Sequence, residues 1–390
     1  MKEIQTLKSK TTGRLRSIDG MRGLAAMAVV LFHLSGKMID ELQAVLPDFI
    51  TIVMSYGYLG VPVFFVISGI VISLSVNNRK VTLRYAGNFA LRRSIRLDIT
   101  YWASICFILV LMTLNNNFLG GDNPYPSMGS VLLNMFYLQG LFSVEPVISV
   151  VYWTLCLEIQ LYLFFLASVW LSQTLSKRLN FDYYKVHLSG VVLLGIYSLT
   201  LEQQITSLSV PGLFVPYWHY FLIGLLISNV VRGEKASIPI LFSWMAIEIG
   251  FLMSGDIVSY SVAGIGFGML VFLLWRWNLM DTFLCSRFFQ YLGSISYTLY
   301  LVHPDVGWKA ISVGKQVFGN EMSSMATLFV FLSALLLSVL VAHLFHILFE
   351  KPSLWLCKQL KSMSLKELLA THVGERLSGR NLPFLWRSDP

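Results

Sequence analysis

The chain has 390 residues, of which 55% are hydrophobic and 13% are charged, and its mean hydropathy is +0.66. Globular domains carry about 25% charged residues, so this composition excludes an ordinary soluble domain and indicates a protein with many membrane spans. The formal net charge of +8 follows from membrane topology and attraction to anionic lipid headgroups, and it requires no nucleic acid partner.

Membrane spans are predicted wherever about 20 consecutive residues are mostly apolar. Such runs follow one another along the whole chain, so the predicted fold class is all-α, a bundle of about ten transmembrane helices. The run 186–200 is short and the weakest. The predicted spans are 18–36, 51–76, 98–115, 150–171, 186–200, 213–231, 237–253, 257–275, 289–312 and 324–349.

Basic residues give the predicted orientation of these spans. With the N-terminus in the cytoplasm, the inner segments hold 26 of the 29 Lys and Arg residues, and the outer loops keep only Lys37, Lys309 and Lys315. Positive residues favour the cytoplasmic side, so both termini are predicted to be cytoplasmic. The short apolar segment 130–143 is predicted to be re-entrant or interfacial, because a full span there would move the basic residues of 177–185 outside.

The chain is predicted to consist of a membrane domain, 1–352, and a short basic cytoplasmic tail, 353–390. The beginning of the tail mixes apolar and basic residues as an interfacial helix does. No cleavable signal peptide is expected, since no small-residue cleavage site follows the first span. The four cysteines show neither metal-like spacing nor a disulfide framework, so no metal site is predicted. No internal repeat is visible, which weighs against a transporter with two related halves.

Two side chains of the first span indicate a catalytic function. Arg22 lies at the predicted inner edge, and His33 follows eleven residues later. At about 100° per residue, eleven steps return to within about 20° of the same helix face and rise roughly 16 Å. A long anionic cofactor with its reactive end far from its phosphates, such as acyl-coenzyme A, suits this geometry. An imidazole with a pKa of about 6.5 is suited to take a proton from a hydroxyl nucleophile. A packing role for His33 is the alternative.

Further arginines stand at the inner end of the third predicted span. Arg93 and Arg96 are three residues apart and share a helix face. Guanidinium groups bind phosphate as bidentate forks, which indicates a donor with several phosphates, although membrane anchoring is the simpler function of such residues. Asp19 lies three residues before Arg22, where either a helix-entrance pair or a functional pair is consistent with the spacing.

Other ionisable residues fall toward the outer halves of predicted spans, where a charged group needs a partner or a wet cavity. Glu158 is a candidate to orient a histidine or to bind an acceptor, with Gln160 and Tyr162 as members of its network. His219 and His303 are further candidates, although a helix kink or end before Pro304 explains His303 equally well. Three residues receive no role in chemistry: Glu248, for which none is evident, and His343 and His346, which are expected to be structural.

These residues lie in segments that resemble the acyltransferase-3 family of integral membrane O-acyltransferases. The resemblance covers most of residues 14–352. It is carried by DGMRGLAAMAVVLFH, GVPVFFVISGIVIS, RRSIRLDITYW, VYWTLCLEIQLYL, LGSISYTLYLVHP and FEKPS, in that order along the chain.

The resemblance implies transfer of acetyl or related groups from coenzyme A thioesters to hydroxyl groups, commonly on exported glycans. It implies that Arg22 and His33 form the family's Arg-x10-His motif and that Arg93 and Arg96 form its Arg-x-x-Arg motif. Glu158 falls at the family's glutamate. The expected partners are acyl-CoA as donor substrate, a glycan or lipid-linked saccharide as acceptor, and membrane lipids, with no permanently bound cofactor.

The hypothesis is therefore a bacterial plasma-membrane O-acyltransferase in which the arginines hold the donor phosphates and His33 is the general base. Two alternatives stay open from the residues alone. A transporter or flippase for an anionic or glycan substrate would use the same arginine-rich entrance and buried acids. A membrane scaffold without activity is disfavoured by the intact spacing of Arg22 and His33.

Overall fold

The computed structural model describes residues 16–76, 80–118, 120–145, 147–208, 210–254, 259–319 and 321–362. These residues form helices and no strand, which confirms the predicted all-α class. The α-helices are α1 (Arg16–Ser35), α2 (Ile39–Gln43), α3 (Asp48–Ser55), α4 (Gly60–Val76), α5 (Leu83–Phe118), α6 (Met128–Met135), α7 (Tyr152–Leu179), α8 (Tyr183–Glu202), α9 (Trp218–Val231), α10 (Ser237–Ser254), α11 (Ser259–Arg276), α12 (Arg287–Phe318), α13 (Ser324–Phe345) and α14 (Lys351–Ser362).

Six helical segments are long and apolar enough to cross a membrane. These segments are Arg16–Ser35, Asp48–Val76, Leu83–Phe118, Tyr152–Leu179, Tyr183–Glu202 and Ser324–Gln359. They coincide with six of the predicted spans. Three further predicted spans fall on the shorter apolar helices α9, α10 and α11, and the last falls on α12. The chain is thus a multi-pass membrane protein, and the count of ten spans stays a prediction.

The ends of several helices follow from local sequence. Ser127 caps α6 by accepting a hydrogen bond from the Ser130 backbone amide at 3.1 Å. With eight residues, α6 is too short to cross a bilayer, as expected for the segment 130–143. Asn180 ends α7 in the left-handed conformation, and Asp182 caps α8 two residues later, so these helices form a tight hairpin. The predicted tail begins as α14, while residues 363–390 lie outside the described residues.

Glycines allow two helix pairs to touch backbone to backbone. A Cβ atom on Gly224 of α9 would lie 2.1 Å from the Val66 carbonyl oxygen of α4, and one on Gly69 would lie 2.2 Å from the Phe221 oxygen. The same holds between α1 and α12, where a Cβ atom on Gly23 would lie 2.5 Å from the Gly293 nitrogen. These contacts fix the helices that carry the polar residues described below.

Replacing Gly224 with alanine is expected to lower the free energy of unfolding by about 1–3 kcal/mol, since the added methyl group meets backbone that must shift. Gly266 in α11 is the matched control, because a Cβ atom there meets no atom within 4 Å. Thermal unfolding of both alanine variants in detergent measures the effect. Equal midpoints for the two variants would contradict the packing argument.

Candidate functional site

Five charged residues of the bundle surround a cavity between α1, α4, α5, α7 and α12. The cavity contains about 900 Å³ of space, counting its open part. Its charged lining consists of Arg22, Arg93, Arg96, Glu158 and Glu350. The first four come from segments that the sequence analysis singled out separately. The fold therefore brings the predicted arginines and Glu158 to one place.

Arg93 and Arg96 both line this cavity. The Arg93 guanidinium lies 4.2 Å from the centre of the Tyr162 ring, within the range of a cation–π contact. Within the described part of the chain, neither guanidinium has a carboxylate within 4.0 Å or a hydrogen bond to another residue. Buried N–H donors are nearly always paired, so unpaired ones facing a cavity indicate that an acceptor belongs there. A phosphate offers oxygens in the geometry that a guanidinium fork matches.

Arg22 is held more firmly than the other two. Its Nε donates to Ser296 Oγ at 2.9 Å, and its Nη2 donates to the Gly293 carbonyl oxygen at 2.8 Å. Both acceptors belong to α12, and the close approach of Gly23 to Gly293 brings the helix within reach. Asp19, the candidate one turn before Arg22, has its Oδ1 4.0 Å from Nη2 of Arg22. That separation is typical of a loose pair at a helix entrance.

Glu158 belongs to the arginine cavity. Tyr162 and Ser68 both donate hydrogen bonds to its Oε1, the latter at 3.2 Å. Tyr162 also supplies the ring beneath Arg93, so it joins the carboxylate and the guanidinium in one network. The structure groups Glu158 with the arginines and, among the described residues, does not bring it to a histidine. Its catalytic role stays a prediction. Tyr162 belongs to its network as predicted, whereas Gln160 bonds Cys156 and the backbone of Gly212 and Phe214 instead.

His33 meets His303 near the other end of α1. The Nδ1 atom of His33 lies 3.0 Å from the Val29 carbonyl oxygen and 3.1 Å from Nε2 of His303. The Nδ1 atom of His303 lies 3.0 Å from the carbonyl oxygens of both Leu299 and Tyr300. His303 is fully buried, whereas His33 is partly exposed. The two candidates that the sequence placed on different helices are thus direct partners.

These contacts define which nitrogen of each neutral ring carries a proton. A carbonyl oxygen only accepts, so Nδ1 of His303 must be the donor, which leaves Nε2 of His303 as an acceptor. That acceptor faces Nδ1 of His33, which must therefore carry the proton shared between Val29 and His303. The remaining nitrogen, Nε2 of His33, then has a free lone pair. An imidazole in this state is able to take up a proton.

The histidine pair and the arginine cavity are separate but adjacent. The cavity wall contains Arg22 but neither His33 nor His303. Tyr300 connects the two regions: it lines the cavity, and its ring centre lies 6.0 Å from that of His303. Pro304 lies inside α12, which continues to Phe318, so the expectation that a helix end explains His303 is wrong.

α12 also contacts α1 at its C-terminal end, next to His33. The Trp308 indole nitrogen donates to the His33 carbonyl oxygen at 2.8 Å. Lys37, just beyond α1, lies 4.5 Å from the centre of the Trp308 ring. Together with the bonds of Arg22, these contacts attach α1 to α12 at both ends.

His219 lies in a different cluster. It is fully buried, with Nε2 2.9 Å from Glu202 Oε2 and Nδ1 3.1 Å from Glu248 Oε1. The Trp244 indole nitrogen donates to the same oxygen of Glu248 at 2.7 Å. Glu248, which had no role in the sequence analysis, is therefore one of two acids that bracket His219. This candidate is not brought together with His33, and the cluster joins α8, α9 and α10.

Two features of this region were not predicted from the sequence. Glu350 was noticed only as part of the FEKPS segment, and His346, expected to be structural, donates from Nδ1 to Glu350 Oε2 at 2.8 Å. Ser296, which fixes Arg22, lies within the LGSISY segment but gave no separate signal. In the described residues, no group of three side chains is arranged to hold a metal ion.

Comparison with known protein families identifies the family of this chain. The acyltransferase-3 family model, described as an acyltransferase domain, matches residues 15–343. Searches among curated proteins and among solved structures each found no match. The family match spans most of the chain and includes Arg22, His33, Arg93, Arg96 and Glu158. The chain therefore belongs to the acyltransferase-3 family, and it is a membrane acyltransferase.

Proposed function

We propose that the protein moves an acyl group, such as acetyl, from cytoplasmic acyl-CoA to a hydroxyl group of a glycan or another exported acceptor. One observation carries the proposal: α1 bears Arg22 at the arginine cavity and His33 at the histidine pair. Eleven residues of helix separate them by roughly 16 Å. A molecule with phosphates at one end and a thioester at the other fits between these two positions.

The arginine cavity would hold the donor. Arg93 and Arg96 have open guanidinium donors, and Arg22 adds a fixed positive charge on the same wall. Bidentate contacts to phosphate oxygens would satisfy the unpaired N–H groups of the first two. Tyr162 and Glu158 would keep Arg93 in position, since the ring lies beneath its guanidinium and the carboxylate lies beside the ring hydroxyl.

His33 would act as the general base. Its Nε2 lone pair takes the proton of the acceptor hydroxyl as the oxygen attacks the thioester carbonyl. Nδ1–H stays bonded to Val29 and His303, which orients the ring and holds it in the reactive tautomer. The carbon–sulfur bond then breaks, and the His33 imidazolium gives its proton to the sulfur, so that coenzyme A leaves as the thiol and His33 returns to the neutral state. We favour direct transfer; an acyl-histidine intermediate on His33 is the alternative.

The proposal includes a topology of ten spans with both termini in the cytoplasm of a bacterial cell, in its plasma membrane. It is supported by the distribution of basic residues. In this orientation the arginines face the compartment that contains acyl-CoA, and His33 lies toward the outer face, where exported glycans are located. Anionic lipids would surround the basic inner surface.

Single cysteine labels test this orientation. A cysteine introduced at Arg84 is expected to react with an impermeant maleimide only after the membrane is opened, whereas one at Asn123 reacts in intact cells. Cys106 is exposed in the structure, so the native cysteines are first replaced by serine. A label at Asn123 that reacts only in opened cells would contradict both the orientation and the side of donor binding.

Acyl transfer itself is tested with purified protein in lipid nanodiscs and radiolabelled acetyl-CoA. We expect release of free thiol and transfer of label to glycans extracted from the host envelope. Donor that stays intact in the presence of every extract, together with substrate movement across proteoliposomes, would favour the transporter alternative.

A further inference from the structure

Glu350 contributes a carboxylate to a cavity whose three arginines are suited to bind anions. The proposed reaction assigns this carboxylate no role. Its side chain lines the cavity with the three arginines and Glu158. The residue is 3% exposed, so its carboxylate is largely shielded from bulk water. An acid in this position opposes the binding of phosphates and therefore needs an explanation.

A π-helical turn, His346–Glu350, presents this carboxylate. The turn lies between α13 and α14, and π turns inside helices occur frequently at functional sites. The extra residue of such a turn rotates the positions that follow it, which changes the face on which Glu350 lies. His346 holds the carboxylate by donating to Oε2 at 2.8 Å.

α14 fixes the turn against the helix that carries the arginines. Ser353 Oγ donates to the carbonyl oxygens of Glu350 at 2.8 Å and Arg96 at 3.2 Å. One turn later, Cys357 Sγ donates to the Arg92 carbonyl oxygen at 3.1 Å. These hydrogen bonds to backbone carbonyl oxygens keep Glu350 next to Arg96 and involve neither charged group.

Glu350 and Arg96 attract each other without touching. Arg96 shares one cavity with the carboxylates of Glu350 and Glu158, whose charge is opposite, and with the like-charged guanidinium groups of Arg93 and Arg22. In the described part of the chain, no carboxylate comes within 4.0 Å of Arg96. The gap leaves the guanidinium donors of Arg96 free for a ligand while its charge is partly balanced.

We infer that Glu350 is a built-in counter-ion that weakens the hold of the cavity on coenzyme A and so speeds release of the product. The inference rests on the proposed function. Without a bound ligand, the two carboxylates offset the positive charge of three largely buried guanidinium groups. Burying these groups away from water would be unfavourable without such compensation. When phosphates bind the arginines, the same carboxylates repel them across a medium of lower dielectric constant than water. Product coenzyme A carries the same phosphates as the donor, so it feels the same repulsion.

Isothermal titration of coenzyme A into the purified full-length protein tests the inference. Glu350→Gln keeps the shape of the side chain but removes its charge. We expect the Kd of this variant for coenzyme A to fall about tenfold, because the Coulomb repulsion between the carboxylate and the phosphates is lost. Glu350→Asp keeps the charge and is expected to bind as the wild type does. Glu234→Gln removes an exposed acid outside the cavity and should leave the Kd unchanged.

Glu350→Ser is a second neutral variant in case the glutamine protein does not fold. Weaker or unchanged binding in the folded neutral variants would overturn the inference, because a positioning role for Glu350 weakens binding when it is removed. Tighter binding in Glu350→Asp as well would also overturn it, since the charge is then not responsible. A wild type that does not bind coenzyme A would overturn the donor assignment together with this inference.

Discussion

Replacing His33 with alanine is expected to lower the rate of acyl transfer by at least about a hundredfold while the Kd for coenzyme A stays within about twofold of wild type. General bases contribute about 10²- to 10⁴-fold to enzymatic rates. In the proposed site the donor phosphates lie roughly 16 Å away along α1, so donor binding should not depend on the imidazole. Titration of coenzyme A and a transfer assay on the same preparation measure both quantities.

Glutamine at position 33 provides the sharper test. An amide donates and accepts hydrogen bonds, so His33→Gln preserves much of the packing near His303 and Val29, but it does not take up a proton near neutral pH. We expect it to be as inactive as the alanine variant. His343→Gln is the matched control, because His343 bonds Tyr291 in an exposed position. Near-normal turnover of His33→Gln would exclude the general base and leave His303 and Glu158 to be tested.

Replacing Arg93 or Arg96 with alanine is expected to weaken donor binding by about ten- to a hundredfold, since a charged hydrogen bond contributes about 1.5–3 kcal/mol. The effect should appear in KM for the donor more than in kcat. Arg93→Lys should recover only part of the affinity, because a point charge replaces a bidentate fork over the Tyr162 ring. Arg92→Ala is the control, as Arg92 is adjacent but does not line the cavity. An unchanged donor KM in folded Arg93→Ala would remove that residue from the site.

The helical repeat and charge distribution predict much of this arrangement. The spacing of Arg22 and His33 requires only the period of one helix, and helix α1 is present over both residues. The run from Leu91 to Trp102 lies within α5, so Arg93 and Arg96 share a face as predicted. These features are local, and local periodicity is what a sequence records most directly.

The contacts between helices did not follow from the sequence. His303 lies 270 positions from His33, and its role depends on how closely α12 approaches α1. That approach is set by Gly23 and Gly293, which look like ordinary small residues in an apolar run. Glu350 was missed for another reason: the π turn changes the face that a regular helical repeat assigns to it. His219 lies between Glu202 and Glu248, apart from His33, and a catalytic role for it stays a prediction.

Under the proposed function, the double attachment of α1 to α12 would determine which thioesters the protein accepts. Arg22 is bonded to Gly293 and Ser296 at one end, and His33 contacts His303 and Trp308 at the other. The two helices therefore keep Arg22 and His33 at a fixed separation, since α1 cannot slide along α12 without breaking contacts at both ends. Under the proposed function, acyl groups carried on a pantetheine arm without its nucleotide would reach the imidazole but leave the guanidinium groups unfilled. Selection among thioesters would then depend on the length of the carrier, measured along a helix, as much as on the chemistry of the acyl group.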